Sequence, residues 1–369
     1  MVETILSLIL PGLGHLLRGE ARAGWPFILA ALVHLGIFLV ALLRGKLAWV
    51  TGPGEYWFSS TVLYVILFLI WAGAPLDLRR RSRRRREREE YGRGYWEIVR
   101  GRFIRDKKGL TGATILLVVL YLALFAPFFS PYDPLRMDLK NFLSPPSRAH
   151  PFGTDNFGRD ILSRVIYGSR VALGVGAAAT IFNMILGGFL GLIAGYYRAA
   201  SDAVIMRVLE IINSIPFLIL ALLVMSVFGS GIPQLIIVLG IFGIQPARII
   251  RSEVLSVREE DYVMAGKALG GSDLRIILKH ILPNSIASLM VVATMQIGVN
   301  IIVIAGLSFL GFGVKPPTPS WGAMLEQAFE YMRVAWWMAV FPGLAIVLTV
   351  FGFNILGDSL RDVLDPRLK

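Results

Sequence analysis

Apolar stretches of membrane-crossing length alternate with polar segments along the chain. Residues 24–43 and 58–76 each offer close to the ~20 residues a helix needs to cross hydrocarbon. Six further stretches follow, at 110–130, 170–197, 203–228, 232–250, 285–312 and 336–357. Residues 3–17 are apolar but short, and Pro11, Gly12 and Gly14 interrupt them, which leaves either a re-entrant hairpin or a kinked, marginal span. The pattern predicts an all-α polytopic membrane protein with a six-span body and two or three extra N-terminal spans. Its divisions are a membrane module at 1–78, a basic linker at 79–108, and a body at 109–369. Within the body lie a long loop at 131–169 and a polar loop at 256–284.

Residues 261–284, DYVMAGKALGGSDLRIILKHILPN, are a polar, helix-prone island among these apolar runs. Tyr262, Val263, Ala265, Gly266 and Leu269 lie at roughly helical spacing, and the pair Gly270-Gly271 breaks that helix. Ser272 can cap a second helix, with Asp273 well placed against its N-terminal dipole. That second helix runs into Pro283. The expectation is two short helices at an angle, neither long enough to span, lying at the membrane surface. A docking element and an ordinary interfacial hairpin both fit this pattern.

The linker fixes an orientation. The arginine-rich run from Arg79 to Lys108 is only partly offset by Glu87, Glu89, Glu90, Glu97 and Asp106, so the positive-inside rule places it in the cytoplasm. Alternation then puts 131–169 and 313–335 outside, and the island and the C-terminus inside. Arg248, Arg251, Arg258, Lys267, Arg275 and Lys279 make the island basic, in agreement. The run also suits anionic lipid headgroups. It carries no stacking aromatics or reading module, so the net charge of +12 points to membrane rather than nucleic acid.

Composition supports the class: 55% of residues are hydrophobic and 17% charged, well short of the roughly 25% charged content of soluble domains. Cysteine is absent, which excludes disulfides and cysteine-based metal or redox sites. His15, His34, His150 and His280 lack metal-ligand spacing. No Ser/His/Asp grouping suggests nucleophilic catalysis, and no G-x-x-x-x-G-K-[ST] loop is present to cradle ATP phosphates. The chain is therefore expected to be a non-catalytic membrane subunit that binds no metal or cofactor of its own.

The loop at 131–169 ends in HPFGTDNFGRDILSRVIYGSR. Its Pro, Gly and Asp-Asn turn signals lead into a helix starting near Asp160, with Ile161, Leu162, Val165 and Ile166 on its apolar face. The expectation is an amphipathic helix on the outer surface, either packing over the bundle or shaping an outer mouth.

Two stretches carry a family resemblance. The island resembles the cytoplasmic coupling loop of ABC import permeases: a Glu-Ala-Ala-like triplet, three residues, glycine, nine residues and an Ile-x-Leu-Pro-like ending. Here these are Met264-Ala265-Gly266, Gly270 and His280-Ile281-Leu282-Pro283. Met264, Gly266 and His280 depart from the pattern, and the missing acid removes a polar contact with an ATPase. The second stretch, with Gly153-Thr154-Asp155, Gly158-Arg159-Asp160, Ser163-Arg164 and Tyr167-Gly168, resembles the signature before the second core span in the dipeptide/oligopeptide/nickel branch. ARIIRSEVLSVREEDYV and the tail LGDSLRDVLDPRLK also look like that branch, and the chain is similar to its second, C-type permease.

The resemblance implies a type I importer permease in the cell membrane, moving peptides or related small solutes inward by alternating access. Its implied partners are a second homologous permease subunit, two cytoplasmic ATPase subunits that use ATP-Mg, and an extracytoplasmic substrate-binding protein. The implied ATPase-coupling residues are Tyr262, Val263, Met264, Ala265, Gly266, Leu269, Gly270 and Pro283. Those implied at the outer mouth, against the binding protein, are Gly153, Thr154, Asp155, Gly158, Arg159 and Asp160. Peptides, nickel chelates and oligosaccharides are all carried in this branch.

Polar residues inside spans face protein or water. Arg207 and Glu210, one turn apart, can pair or gate. Pro216 should kink its span. Gln296 and Asn300 share a helix face, which lines a translocation path or makes interhelical hydrogen bonds; Asn354 fits either role. The N-terminal LPGLGHLLRGEARAGWPF resembles a small membrane module outside the permease pattern, readable as an anchor, a partner contact or a remnant. Two rivals remain: a secondary transporter, for which inverted repeats and intramembrane ionisable residues are expected, and a non-transporting scaffold.

Overall fold

The computed structural model describes residues 95–243 and 245–364. The spans at 3–17, 24–43 and 58–76, the module at 1–78 and most of the basic linker lie outside the described residues. Among the described residues the structure is helical, with one isolated bridge between Thr154 and Asp160. Among the described residues four helices are long and apolar enough to cross a membrane, and two bent pairs bring the number to six. This is the six-span body read from the pattern.

The first span is α2 (Lys107–Leu124), preceded by α1 (Tyr95–Arg105) and followed by the short α3 (Ala126–Phe129). It begins at Asp106, whose carboxylate accepts from the amides of Lys108 and Gly109 at 3.0 and 3.1 Å, satisfying two of the helix's free N–H groups.

The second span corrects the sequence expectation. Instead of a surface helix followed by a separate span from residue 170, one helix, α4 (Ile161–Tyr197), runs for 37 residues. At 1.5 Å per residue it is about 55 Å long, longer than the ~30 Å hydrocarbon core. The polar face that suggested a surface helix is covered by the chain. Arg164 is buried beside Asp155, and Arg170 donates to the carbonyls of Ala123 and Leu124 at 2.6 and 3.0 Å.

Pro216 does more than kink its span. The helices α5 (Ala199–Ser214) and α6 (Phe217–Phe228) meet at 83°. Ile215 is pushed into the extended region by the proline ring that follows it, and Pro216 is itself extended, so two consecutive residues leave the helix. The stretch at 232–250 likewise becomes α7 (Ile232–Phe242) and α8 (Gln245–Arg258).

The island also departs from expectation in its second half. After α9 (Asp261–Ala268) and α10 (Asp273–Ile276), the chain passes through one π-helical turn, Ile277–Ile281, straight into the span α11 (Leu282–Phe309). Pro283 does not stop a helix here. It sits in the first turn of α11, where a missing N–H costs nothing. Ser272 takes the N-cap position of α10, but its side chain makes no capping bond. The remaining elements are α12 (Trp321–Tyr331), absent from the sequence reading, and the last span α13 (Trp337–Leu364).

α4 is the hub, packing against α2, α7, α8 and α11. Its fit to α8 depends on residues without side chains. A Cβ at Gly191 would lie 2.5 Å from the Ala247 carbonyl oxygen, and one at Gly195 would lie 2.8 Å from Val254 Cβ. Val175, Ala179, Met225, Leu235, Leu239 and Leu307 form one apolar core, and Ile161, Ile301, Trp321, Met324, Trp337 and Met338 another.

Candidate functional site

Two clusters lie at opposite ends of α4. At its N-terminus the 131–160 loop folds into a cap. Asp155 is its centre: its carboxylate accepts from the amides of Phe157 and Arg159 at 2.8 and 3.0 Å and from Arg159 Nε at 2.7 Å. Arg164 Nε lies 3.5 Å from the same group, and Arg159 reaches on to Gln327 Oε1 at 3.1 Å. Asp155, Arg159 and Arg164 are all at most 4% exposed. A buried carboxylate is tolerated only with such partners, because an unpaired charge in a dry interior is expensive.

The neighbouring motif residues build the same cap. The Thr154 hydroxyl accepts from Ser144 N at 2.8 Å and donates to the Asn141 carbonyl at 2.5 Å. Asp160 caps α4 through the amide and hydroxyl of Ser163, at 2.8 and 2.7 Å, while its other oxygen faces His150 Nδ1 at 2.9 Å. Gly158 has a φ of +69°, and a Cβ there would overlap the Asp138 carbonyl at 1.8 Å. Gly153 lies against the Trp337 indole, whose Nε1 donates to the Thr154 carbonyl at 3.1 Å.

All six residues that the resemblance placed at the outer mouth are therefore buried. They hold the cap's shape, and of their side chains only that of Asp160 reaches the cleft they support. The surface they support is a cleft of about 430 Å³ lined by Tyr132, Arg136, Asp138, Ser147, His150 and Asp160.

Past the C-terminus of α8 lies the 261–284 loop. α9 ends in a Schellman motif: Gly271 N donates to the Gly266 carbonyl at 3.1 Å and Gly270 N to the Lys267 carbonyl at 3.0 Å, with Gly270 at φ +82°. Ile276 Cδ1 covers both flanking glycines, 3.1 Å from where a Cβ of Gly266 or Gly271 would stand. This gives Gly266, one departure from the family pattern, a local reason. His280, another, lies beside the Tyr262 ring with centroids 6.2 Å apart.

Of the eight residues expected at the coupling surface, Val263 points inward, into a core with Ile250, Val254, Val257, Ile276 and Ile281. Gly266 is partly covered, while Tyr262, Met264, Ala265, Leu269, Gly270 and Pro283 are exposed. With Leu269 88% and Leu274 66% exposed, the loop presents an apolar ridge. Partial burial, and then the charge of Glu260, hold the Tyr262 phenol above its ordinary pKa, so it stays neutral.

Between the two ends, Asn300 is 2% exposed and donates from Nδ2 to Thr180 Oγ1 at 2.9 Å, and Gln296 Nε2 donates to Asn300 Oδ1 at 3.2 Å. Asn300 is thus a tether between α11 and α4; Gln296 is partly exposed and Asn354 exposed. Arg207 and Glu210 form an exposed pair at 3.2 Å. Sequence reasoning missed Gln327 and Trp321, whose Nε1 donates to the Val165 carbonyl at 2.9 Å. Ser320, which caps α12 ahead of the apolar spacing of Trp321, Met324, Leu325 and Ala328, was the available signal. It also missed Tyr196, which joins α4 to the loop.

A loop capping one end of a six-span helical body, with an exposed ridge at the other, fits a membrane transport subunit, and comparison with known proteins gives the family. The model of the family described as binding-protein-dependent transport system inner membrane component matches residues 187–369. That for the N-terminal TM domain of oligopeptide transport permease C matches residues 94–146. The glutathione transport system permease protein GsiD of Escherichia coli O6:K15:H31 is 43% identical over 276 residues, covering 74% of this chain and 91% of that protein. GsiD of Pectobacterium atrosepticum is 39% identical over 284 residues, covering 76% and 94%. The inward-facing MetNI methionine ABC transporter aligns at TM-score 0.45 and 21% identity, over 54% of this chain and 96% of that one. The chain belongs to the permease subunits of ABC importers, in the dipeptide/oligopeptide/nickel branch and of the C type.

Proposed function

We propose that this permease moves a peptide or related small solute inward by alternating access, driven by ATPase partners seated on the ridge of the 261–284 loop. The observation that carries the reading is α4 itself. One unbroken helix, about 55 Å long at 1.5 Å per residue, has the cap at its first turn and the loop at its last. A push at one end is thereby delivered to the other. In this reading the loop and the C-terminus face the cytoplasm, which the positive-inside bias of the arginine-rich run supports. The cleft beside Arg136 and His150 faces a binding protein that delivers the solute, and a second homologous permease completes the path.

The glutathione permeases among its relatives make glutathione, a tripeptide, the first solute to test. Liposomes holding this chain with its partner permease and ATPases should accumulate a solute presented by the binding protein only when ATP-Mg is on the loop side. Uptake that persists without ATP but follows an ion gradient would favour a secondary transporter and sink the proposal.

A further inference from the structure

Resting on the importer reading, we infer that Tyr196 is the tie through which the coupling loop moves α4. Tyr196 occupies the last turn of α4 and is 3% exposed. Three separate parts of the loop region converge on it. Its hydroxyl donates to Asp273 Oδ1, in the first turn of α10, at 2.5 Å. Its backbone carbonyl accepts from the Arg258 guanidinium at the end of α8. The faces of its ring meet two cations, Lys267 Nζ of α9 at 5.1 Å from the centroid and Arg258 Cζ at 5.6 Å.

Beyond its covalent start from α8, the loop reaches the rest of the body by three routes. One is covalent, through the π turn into α11. The second is the apolar packing of Val263, Ile276 and Ile281 in one cluster with α8 residues and with Tyr196 and Leu192 of α4. The third is polar and leads to α4, where the Tyr196 hydroxyl supplies the directional bond from α10. Apolar contact lets surfaces slide, whereas a short hydrogen bond to a carboxylate fixes an angle and a distance. Asp273 would otherwise serve only the N-terminus of α10; its bond to Tyr196 makes that helix and α4 turn together. Arg251 with Asp202 holds the α4–α5 turn to α8, and Arg198 with Glu259 holds it to the residue after α8, both at 2.5 Å, so the end of α4 moves as a block once Tyr196 is pulled.

Without the bond, ATP turnover still drives the loop and α11, but α4 lags and cycles run without delivering solute. The test uses the complete transporter in liposomes, with its partner permease, ATPases and binding protein, and a defined mixture of glutathione and di- to pentapeptides as probe. The quantity read is ATP hydrolysed per solute imported. Tyr196→Phe should leave complex yield and melting temperature at wild-type values and raise that ratio about fivefold or more, the lower end of ordinary coupling energies. Asp273→Ala should match it, and the double variant should be no worse than either single one, because all three delete one bond. An unchanged ratio in Tyr196→Phe overturns the tie, as does an additive double variant or a fall in stability at a constant ratio. Failure of the wild type to import any probe under ATP overturns the importer reading instead, and the tie with it.

Discussion

The carboxylate of Asp106 accepts a hydrogen bond from the hydroxyl of Ser359, 253 positions further along the chain, on the same oxygen that caps α2 through Gly109 N. The first and last spans of the body are thus pinned at one point. Gly109 makes this possible, since a Cβ there would stand 2.1 Å from Ser359 Oγ. Asp106→Ala should cost about 1–2 kcal/mol, a typical cap loss, read as a lowered melting temperature in detergent. The Ser359 bond, followed by the Gly109 and Lys108 amides, outweighs burial and holds the Asp106 pKa below its ordinary 3.8. The stabilisation is therefore complete above 3.8 and fades as pH falls through the lower folded value. The gap between wild type and variant should close only in that acid window; a gap that closed near neutrality would contradict the assignment.

Removing one member of the cap's ion cluster should be worse than its count of bonds suggests. Arg159→Ala leaves Asp155 with Arg164 Nε at 3.5 Å as its remaining cation and should cost about 3–5 kcal/mol. Proteolysis within 131–160 would report a loosened cap. A cap as resistant as wild type would show that the backbone amides alone hold Asp155.

Gly270 separates shape from sterics, because nothing stands within 4 Å of where its Cβ would be. Only its φ of +82° resists substitution. Gly270→Val should cost about 1–2 kcal/mol and uncouple ATP hydrolysis from uptake while membrane insertion stays intact. Gly270→Asn, which tolerates this region, should retain most transport. Normal uptake by the valine variant would remove the Schellman turn from the mechanism.

Gly191→Val tests the α4–α8 contact. Its added side chain meets backbone, the Ala247 carbonyl, which cannot swing aside as a side-chain end would. Overpacking of this kind costs about 1–3 kcal/mol. It should lower the melting temperature more than the same change at Gly174, where the surrounding space is open. Equal losses at the two sites would mean that the helices are not in contact there.

How far the chain could be read in advance depends on the range of each interaction. The break at Pro216 and the turn at Gly270 are local, set by one ring and one missing Cβ, and the sequence pattern places both. The motif of Gly153 to Asp160 was visible, but its burial was not, because the groups that bury it are distant. Trp337 lies 183 positions from Thr154, and Gln327 168 from Arg159. The continuity of α4 was hidden for the same reason, its polar residues being matched by Asp155 and by the carbonyls of α2. Pro283 misled because proline marks a helix start as well as a stop, and only the three-dimensional path decides between them.

The π turn at Ile277–Ile281 sets the phase of α11. A turn of this kind accommodates one residue more than an α-helical turn, and each residue advances a helix by about 100°. Every side chain downstream is thus rotated by that amount relative to the loop that leads in. Asn300 meets Thr180, and Gly298 meets α13, only with that extra residue in place. Deleting one residue from the turn would leave the composition of α11 untouched and point its polar row at a different neighbour.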